Sequence, residues 1–459
     1  MKTTIHLLKI YAFLSLLLLA GCNGKAASTA TPFPPSVTPS PRPTETPVPT
    51  ATPTITPTHE PLYVSTATAV PKESHPLLLV HYMPWYQAPP IDSSWGWHWT
   101  MNHFSPDSKD ANGRREIASY YYPLTGPYDS RDPAVLEYQV LLMKLSGIDG
   151  VIVDWYGSEN FWDYGILNES TQALFQYIKK AGLLFSVCYE DQTIRNMVDN
   201  KHIALEDARK NAQKEMLYLQ TNWFRDDAYW RTSERPVLFV FGPQYFKSAS
   251  DWEKLFSILN TNPVFLTEDN SLPPVTTSSY PWPPMWASQN GVLTDQVLND
   301  YLESFYKKAA GWNFWVASAF PGFRDIYKEA GVSNGYGVLD ARDGETLKST
   351  LQFALDSKPD AVQLVTWNDY GEGTNIEPTD EYGYKYLGIL QDTVRASINP
   401  TFAYTMDDLA IPFQIYQLRK QNEGNTEVNQ QLDKVFQLII SGDLDAAKTI
   451  LDQYPIKSQ

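Results

Sequence analysis

An eight-stranded parallel (β/α)8 TIM barrel is the fold class this sequence predicts, and three observations predict it. Short apolar runs alternate with helical-looking segments from residue 77 onward, the pattern of parallel βαβ units. Seven of the runs read as strands and an irregular one supplies an eighth, which is the barrel's strand count. No glycine-rich phosphate turn follows the first run, where Met83-Pro84-Trp85-Tyr86 stands instead, and this argues against a doubly wound open sheet.

Taken in order, strands are expected at residues 77–82, 150–155, 183–189, 236–241, 264–267, 312–317 and 361–367. Each is a short apolar run of the length a buried parallel strand needs. Residues 276–286 supply the sixth strand, made irregular by Pro281, Pro283 and Pro284, which cannot donate to a ladder. Helices are expected at 133–146, 169–181, 204–219, 250–259, 293–309, 344–355 and 382–397. The clearest entry signal is Asp132-Pro133, an N-cap followed by proline in the first turn. The barrel is assigned to residues 75–400, and residues 401–459 read as a helical appendage with an amphipathic pair at 432–454 around Gly442-Asp443.

Ahead of the barrel, residues 1–22 carry Lys2 and Lys9, an apolar stretch from Ile10 to Leu19, and then Leu19-Ala20-Gly21-Cys22. That order resembles a bacterial lipoprotein signal, with Cys22 as the lipidated residue of a protein held at the cell envelope, outside the cytoplasm. Residues 23–74 are dominated by Thr, Pro and Ser, a composition that cannot bury enough apolar surface to offset chain entropy, and read as a disordered stalk.

A chain of 459 residues, 43% of them hydrophobic, suits one large barrel with appendages. Its net charge of −16 disfavours nucleic acid as a partner. The 14 Trp and 28 Tyr provide aromatic faces for sugar rings as well as core packing. Of the two cysteines, Cys188 lies in an apolar run and reads as a small core residue. No HExxH, cysteine cluster or helical histidine pair is present, so neither a metal nor a cofactor is expected, and the chain is expected to be a monomer.

The residues that carry chemistry follow the last expected strand: Trp367-Asn368-Asp369-Tyr370-Gly371-Glu372-Gly373. Barrel enzymes place their reacting groups at the C-terminal ends of strands, and paired carboxylates are the working parts of glycoside hydrolysis. Gly371 at the third position suits a type II turn, which would bring Asp369 and Glu372 onto one ligand. Two acids so close separate their proton affinities, one serving as acid and the other as base. Further candidates stand at the other strand ends: His81, Tyr82, Trp85 and Tyr86 at the first, Asp154, Trp155 and Tyr156 at the second. Tyr189 and Glu190 at the third, Trp282 and Trp286 near the sixth, and Trp367, Asn368 and Tyr370 beside the acids complete the expected saccharide-binding set. Trp95-Gly96-Trp97-His98-Trp99 lies in a long connection and can supply either a lid or a satellite hydrophobic cluster. Gly331-Val332-Ser333-Asn334-Gly335 matches a nucleophile elbow in letters only, since no strand precedes it and no histidine follows it.

Thr366-Trp367-Asn368-Asp369-Tyr370-Gly371-Glu372 resembles the signature of glycoside hydrolase family 71, the α-1,3-glucanases. The continuation Glu372-Gly373-Thr374-Asn375-Ile376-Glu377-Pro378 resembles family 99, the endo-α-mannosidases and endo-α-mannanases. His81-Tyr82-Met83-Pro84-Trp85-Tyr86, Asp154-Trp155-Tyr156-Gly157, Arg235-Pro236-Val237 and Pro321-Gly322-Phe323 agree with a family 71/99-like protein over residues 75–395. The resemblance implies an α-mannan- or α-glucan-cleaving hydrolase with Glu372 as proton donor and Asp369 as base. Family 99 has Glu at the position of Asp369, where family 71 has Asp. That departure keeps a non-catalytic glycan-binding lipoprotein on the same barrel as the alternative.

Overall fold

A computed structural model describes residues 76–456. The expected signal segment 1–22 with Cys22, the stalk 23–74 and His75 lie outside the described residues.

Eight parallel strands form the barrel: β1 (Leu77–Tyr82), β2 (Gly150–Trp155), β3 (Leu184–Tyr189), β4 (Arg235–Val240), β5 (Val264–Glu268), β6 (Ser278–Tyr280), β7 (Val316–Ala319) and β8 (Ala361–Leu364). Hydrogen-bonded neighbours run β6-β5-β4-β3-β2-β1-β8-β7, so every strand pair but one is laddered. The exception is β6 against β7. There the prolines expected to spoil pairing stop β6 after three residues, and Ser318 Oγ donates 2.6 Å to the Pro281 carbonyl across the join. The ring is therefore nearly closed, as the sequence predicts.

Helices α1 (Pro133–Leu145), α2 (Tyr164–Lys180), α3 (Gln192–Asp199), α4 (Ala208–Asn222), α5 (Ala249–Phe256), α6 (Asp295–Ala309), α7 (Glu345–Asp356) and α8 (Lys385–Ser397) connect the strands. Asp132 caps α1 by accepting from Ala134 N at 2.9 Å, with Pro133 in the first turn where its missing N–H costs nothing. Three features escape the sequence pattern: α3, which is barely two turns long, the antiparallel pairing of Arg231–Thr232 with β4, and the pair Phe323–Arg324 with Val338–Leu339. Within the expected helical appendage stands α9 (Ala410–Gln421), whose Pro412 sits in the first turn. α9 packs along α1, and α10 (Thr426–Ile440) and α11 (Leu444–Leu451) follow it. An ion pair from Arg419 to the buried Glu137 at 2.8 Å fastens α9 to α1.

Registers fix which side chains face the barrel axis. His81 lies opposite Ile152, and Asp154, two residues on, lies opposite Cys188. Alternation turns these four inward and their immediate neighbours outward, toward the helices. The interior is unusually polar for a barrel core, with Gln363 bridging His81 Nδ1 at 3.2 Å and Ser318 Oγ at 3.3 Å.

Candidate active site

β8 ends at Leu364, three residues short of the expected strand, because the backbone leaves the ladder to bond elsewhere. Thr366 N donates to Thr374 O at 2.9 Å, and Trp367 N donates to His81 O at 2.6 Å. The loop so formed presents Asp369 and Glu372. It is not the expected type II turn, since positive φ occurs at Gly373 (63°) and not at Gly371. The turn is closed by a side chain instead: Asp369 Oδ1 accepts from Glu372 N at 2.9 Å. Asp369 N in turn donates to Thr366 Oγ1 at 2.8 Å.

Beneath the loop a buried clamp fixes its position. Asn368 exchanges hydrogen bonds with Met83, Oδ1 accepting from its N at 2.8 Å and Nδ2 donating to its O at 3.0 Å, which ties the β8 loop to the end of β1. Tyr86 Oη donates to Asn368 O at 2.8 Å and accepts from Tyr370 N at 3.1 Å. Glu377, 1% exposed, accepts from Tyr128 and Tyr370 at 2.8 Å and from Gln139 at 2.7 Å. Burial pushes its carboxyl up to about 7.

A cleft of about 200 Å³ opens above this clamp at the C-terminal ends of the strands. Of the residues expected there, His81, Trp85, Asp154, Tyr156, Glu190, Trp282, Asp369 and Glu372 line it. Tyr82, Trp155 and Tyr189 do not, because each sits one position away from an inward-facing residue and so points outward. Tyr82 Oη donates to Gln139 on α1, and Trp155 Nε1 to Asn168 on α2. Tyr86, Trp367, Asn368 and Tyr370 are buried and belong to the clamp and its surroundings rather than to the cleft. Trp286, 66% exposed, packs edge-on to Tyr301 away from the cleft.

Residues the sequence did not single out as binding groups are Met83, Met101, Phe241, Gly371 and Tyr327. Tyr327 arrives from the connection after β7, which is pinned to the acidic loop by Arg324 N to Glu372 O at 2.8 Å and Ile326 N to Gly371 O at 3.0 Å. Its hydroxyl donates to Glu372 Oε1 at 3.3 Å. The Trp95–Trp99 stretch divides between the cleft wall and the main core, and forms no satellite cluster of its own. Trp97 and His98 line the cleft, whereas Trp99 is buried against Tyr86 with ring centres 4.0 Å apart. His98 stacks on Trp85 at 4.1 Å and 6°, and Trp97, 39% exposed, meets His98 edge-on at the rim.

Four carboxyl groups face this cleft, and among the described residues no lysine or arginine lines it. Burial raises Asp369 to about 6, opposed by the backbone N–H groups of Glu372 and Gly371. Burial, followed by the charge of Asp369, pushes Glu372 well above the ordinary glutamate range. The same two causes raise Asp154, while Glu190 is raised by burial and then by Asp154. Burial lowers His81 to about 4 and His98 to about 3, so both imidazoles are neutral at physiological pH. The acidic loop thus offers one carboxyl that holds its proton and one that releases it more readily, the arrangement general acid–base chemistry requires.

Residues 74–267 match the model of glycosyl hydrolase family 99, a segment that runs from β1 into β5 and stops short of the acidic loop. A glycoprotein endo-alpha-1,2-mannosidase-like protein from Danio rerio is 24% identical over 325 residues, 65% of this chain and 70% of that one. The glycoprotein endo-alpha-1,2-mannosidase of Rattus norvegicus is 22% identical over 325 residues, 64% of this chain and 66% of that one. Among solved structures, the GH99 endo-alpha-mannosidase from Bacteroides thetaiotaomicron, in complex with bis-tris-propane, covers 73% of this chain and 98% of its own at a TM-score of 0.51 and 20% identity. That likeness is one of fold.

Proposed function

From the premise that this chain is a family 99-like glycoside hydrolase, of the endo-α-mannosidase-like kind, we propose that it cuts α-linked mannan internally, with Glu372 as proton donor and Asp369 as base. The observation that carries the reading is the unequal proton affinity of two carboxyls on one short loop at the barrel mouth. Glu372 holds its proton at neutral pH and delivers it to the departing glycosidic oxygen. Asp369, ionised above about 6, accepts the proton of the attacking hydroxyl. Its shorter side chain is held in place by the Glu372 N–H, so the base is positioned by the backbone of the acid. Trp85, Tyr156, Trp282 and the rim residue Trp97 provide apolar faces for the sugar. The endo-alpha-1,2-mannosidases among the relatives favour mannan over α-glucan as the polymer.

Incubation of the full chain with α-mannan and with α-1,3-glucan, followed by reducing-end release and product sizing, tests this. Mannan is expected to fall to oligosaccharides, and Asp369→Asn and Glu372→Gln to abolish the release. Glucan cleavage in place of mannan cleavage would overturn the substrate assignment. Retention of mannan without any cleavage would replace the enzyme with a glycan-binding surface.

We further propose that lipid on Cys22 tethers the protein to the cell envelope, facing away from the cytoplasm. The order of charged, apolar and small residues ending at Cys22 supports this. Labelling with a fatty-acid analogue should mark the wild-type chain and spare Cys22→Ser; equal labelling of both would reject it.

A further inference from the structure

Cys188 has no part in the hydrolysis described above, yet it meets two cleft residues on the barrel floor. His81 comes from β1, Asp154 from β2 and Cys188 from β3, three adjacent strands whose register turns all three side chains inward. Each offers one ligand atom, the three atoms lie within 4.8 Å of one another, and all three residues are buried. Asp154, 3% exposed, has its Oδ1 buried without a hydrogen-bond partner. A buried carboxyl oxygen with neither a donor nor a cation has nothing in place of the water it lost, and such groups call for an occupant. Among the described residues, no lysine or arginine lines the cleft to serve as one.

We propose that His81, Asp154 and Cys188 form a binding site for a thiophilic divalent cation of the Zn²⁺ class, and that the ion, once seated, stops hydrolysis by occupying the floor of the cleft. An imidazole, a thiolate and a carboxylate are the donor types zinc takes, at about 2.0–2.3 Å each, and three protein ligands leave a fourth position open. Calcium or magnesium would want six or more oxygens, which this set does not supply. One thiolate and one carboxylate neutralise a dication, so the filled site carries no net charge into the barrel interior. Binding displaces the protons of the Cys188 thiol and the Asp154 carboxyl to solvent and forms one metal–sulfur and one metal–oxygen bond, with no change of oxidation state. A neighbouring group suits the role: Gln363 Oε1 lies 3.2 Å from His81 Nδ1 and orients the ring, while Tyr280 Oη, whose proton goes to the Val240 carbonyl at 2.8 Å, packs 3.5 Å from Cys188 Sγ. His81 and Asp154 also line the cleft, so a sugar ring and the ion with its water compete for the same space of about 200 Å³.

Binding is read independently of turnover, which separates this inference from the hydrolase reading. The full chain in a Cys22→Ser background, leaving Cys188 as the one thiol, is titrated with Co²⁺ and then with Zn²⁺. The expected result is one Co²⁺ per chain with a near-ultraviolet sulfur-to-cobalt band that Zn²⁺ displaces. Cys188→Ser, which lies below the cleft lining, should lose the band and bind Zn²⁺ at least tenfold more weakly, with its circular dichroism and Tm confirming the fold. If that variant does not fold, Asp154→Asn takes its place, keeping the band but losing affinity by a similar factor. On mannan, Zn²⁺ should halt the parent protein and a chelator restore it, while Cys188→Ser needs at least tenfold more metal. Absence of the band at saturating Co²⁺, or equal Zn²⁺ affinity in parent and Cys188→Ser, overturns the site even if the protein hydrolyses mannan normally.

Discussion

Glu372→Gln isolates the proton donor, because glutamine keeps the shape of the side chain and an oxygen for the Tyr327 hydroxyl 3.3 Å away. Sugar binding should therefore change little, and the loss should fall on kcat. A positioned general acid contributes about 10²–10⁴-fold, or about 3–5 kcal/mol of barrier. That full loss is expected on a mannan linkage, whose leaving alkoxide needs a proton. On an activated aryl glycoside, whose leaving group departs as a stable anion, the loss should shrink to about tenfold or less. The pH profile separates the roles further. Asp369 sets the acidic limb near 6, and Glu372, held well above its ordinary range, sets the alkaline limb. Activity should rise as pH increases through about 6, and the later fall should vanish in Glu372→Gln while the acidic limb stays. Initial rates on both substrates between pH 4 and 10 provide the measurement. Equal losses on both substrates, or an alkaline limb that survives the substitution, would refute Glu372 as the acid.

Three other outcomes follow from the geometry. Trp97→Ala removes an aromatic face at the rim, so KM for long oligosaccharides should rise by about two- to twelvefold, the equivalent of about 0.5–1.5 kcal/mol, with kcat nearly unchanged; steady-state kinetics against chain length check it. Gly373→Ala places a Cβ 2.6 Å from Arg324 O at a φ of 63°, which should cost at least about 1–3 kcal/mol in denaturant unfolding and lower activity by shifting the segment hydrogen-bonded to Glu372. Glu377, raised to about 7 from 4.5, binds its proton more tightly folded than unfolded, so the stability it contributes is complete below about 4.5 and lost as pH rises through 7. Its full share is about 3 kcal/mol, of which about 2.5 falls between pH 5 and 8, and Glu377→Gln should flatten the corresponding fall in Tm; a parent Tm that climbs over that interval would contradict the assignment.

How much was legible in the sequence depends on which periodicity a residue obeys. β1 and β2 were readable to the residue because LLLVHY and GVIVDW are continuous apolar runs that a two-sided buried strand demands. The acid pair was readable because it follows the last such run. Tyr82, Trp155 and Tyr189 were misassigned to the cleft for a reason the sequence also contains: they are the outward partners of His81, Asp154 and Glu190 under strict alternation. The turn at Asp369 was misjudged because the glycine in it suggested backbone freedom, whereas the aspartate side chain closes the turn itself. Tyr327, Met101 and Phe241 were out of reach, since they arrive from connections with no repeating pattern and meet the site only through tertiary packing. The grouping of His81, Asp154 and Cys188 was invisible for the same kind of reason, being assembled across three strands rather than along one segment.

The join between β6 and β7 gives this ring a preferred place to breathe. Seven joints are stitched by ladders and the eighth by the single clasp from Ser318 to Pro281, so amide protons flanking that seam should trade with solvent before those elsewhere in the wall. Trp282 stands immediately beside the clasp and forms part of the cleft wall, so any loosening there is felt first by a saccharide resting against its ring.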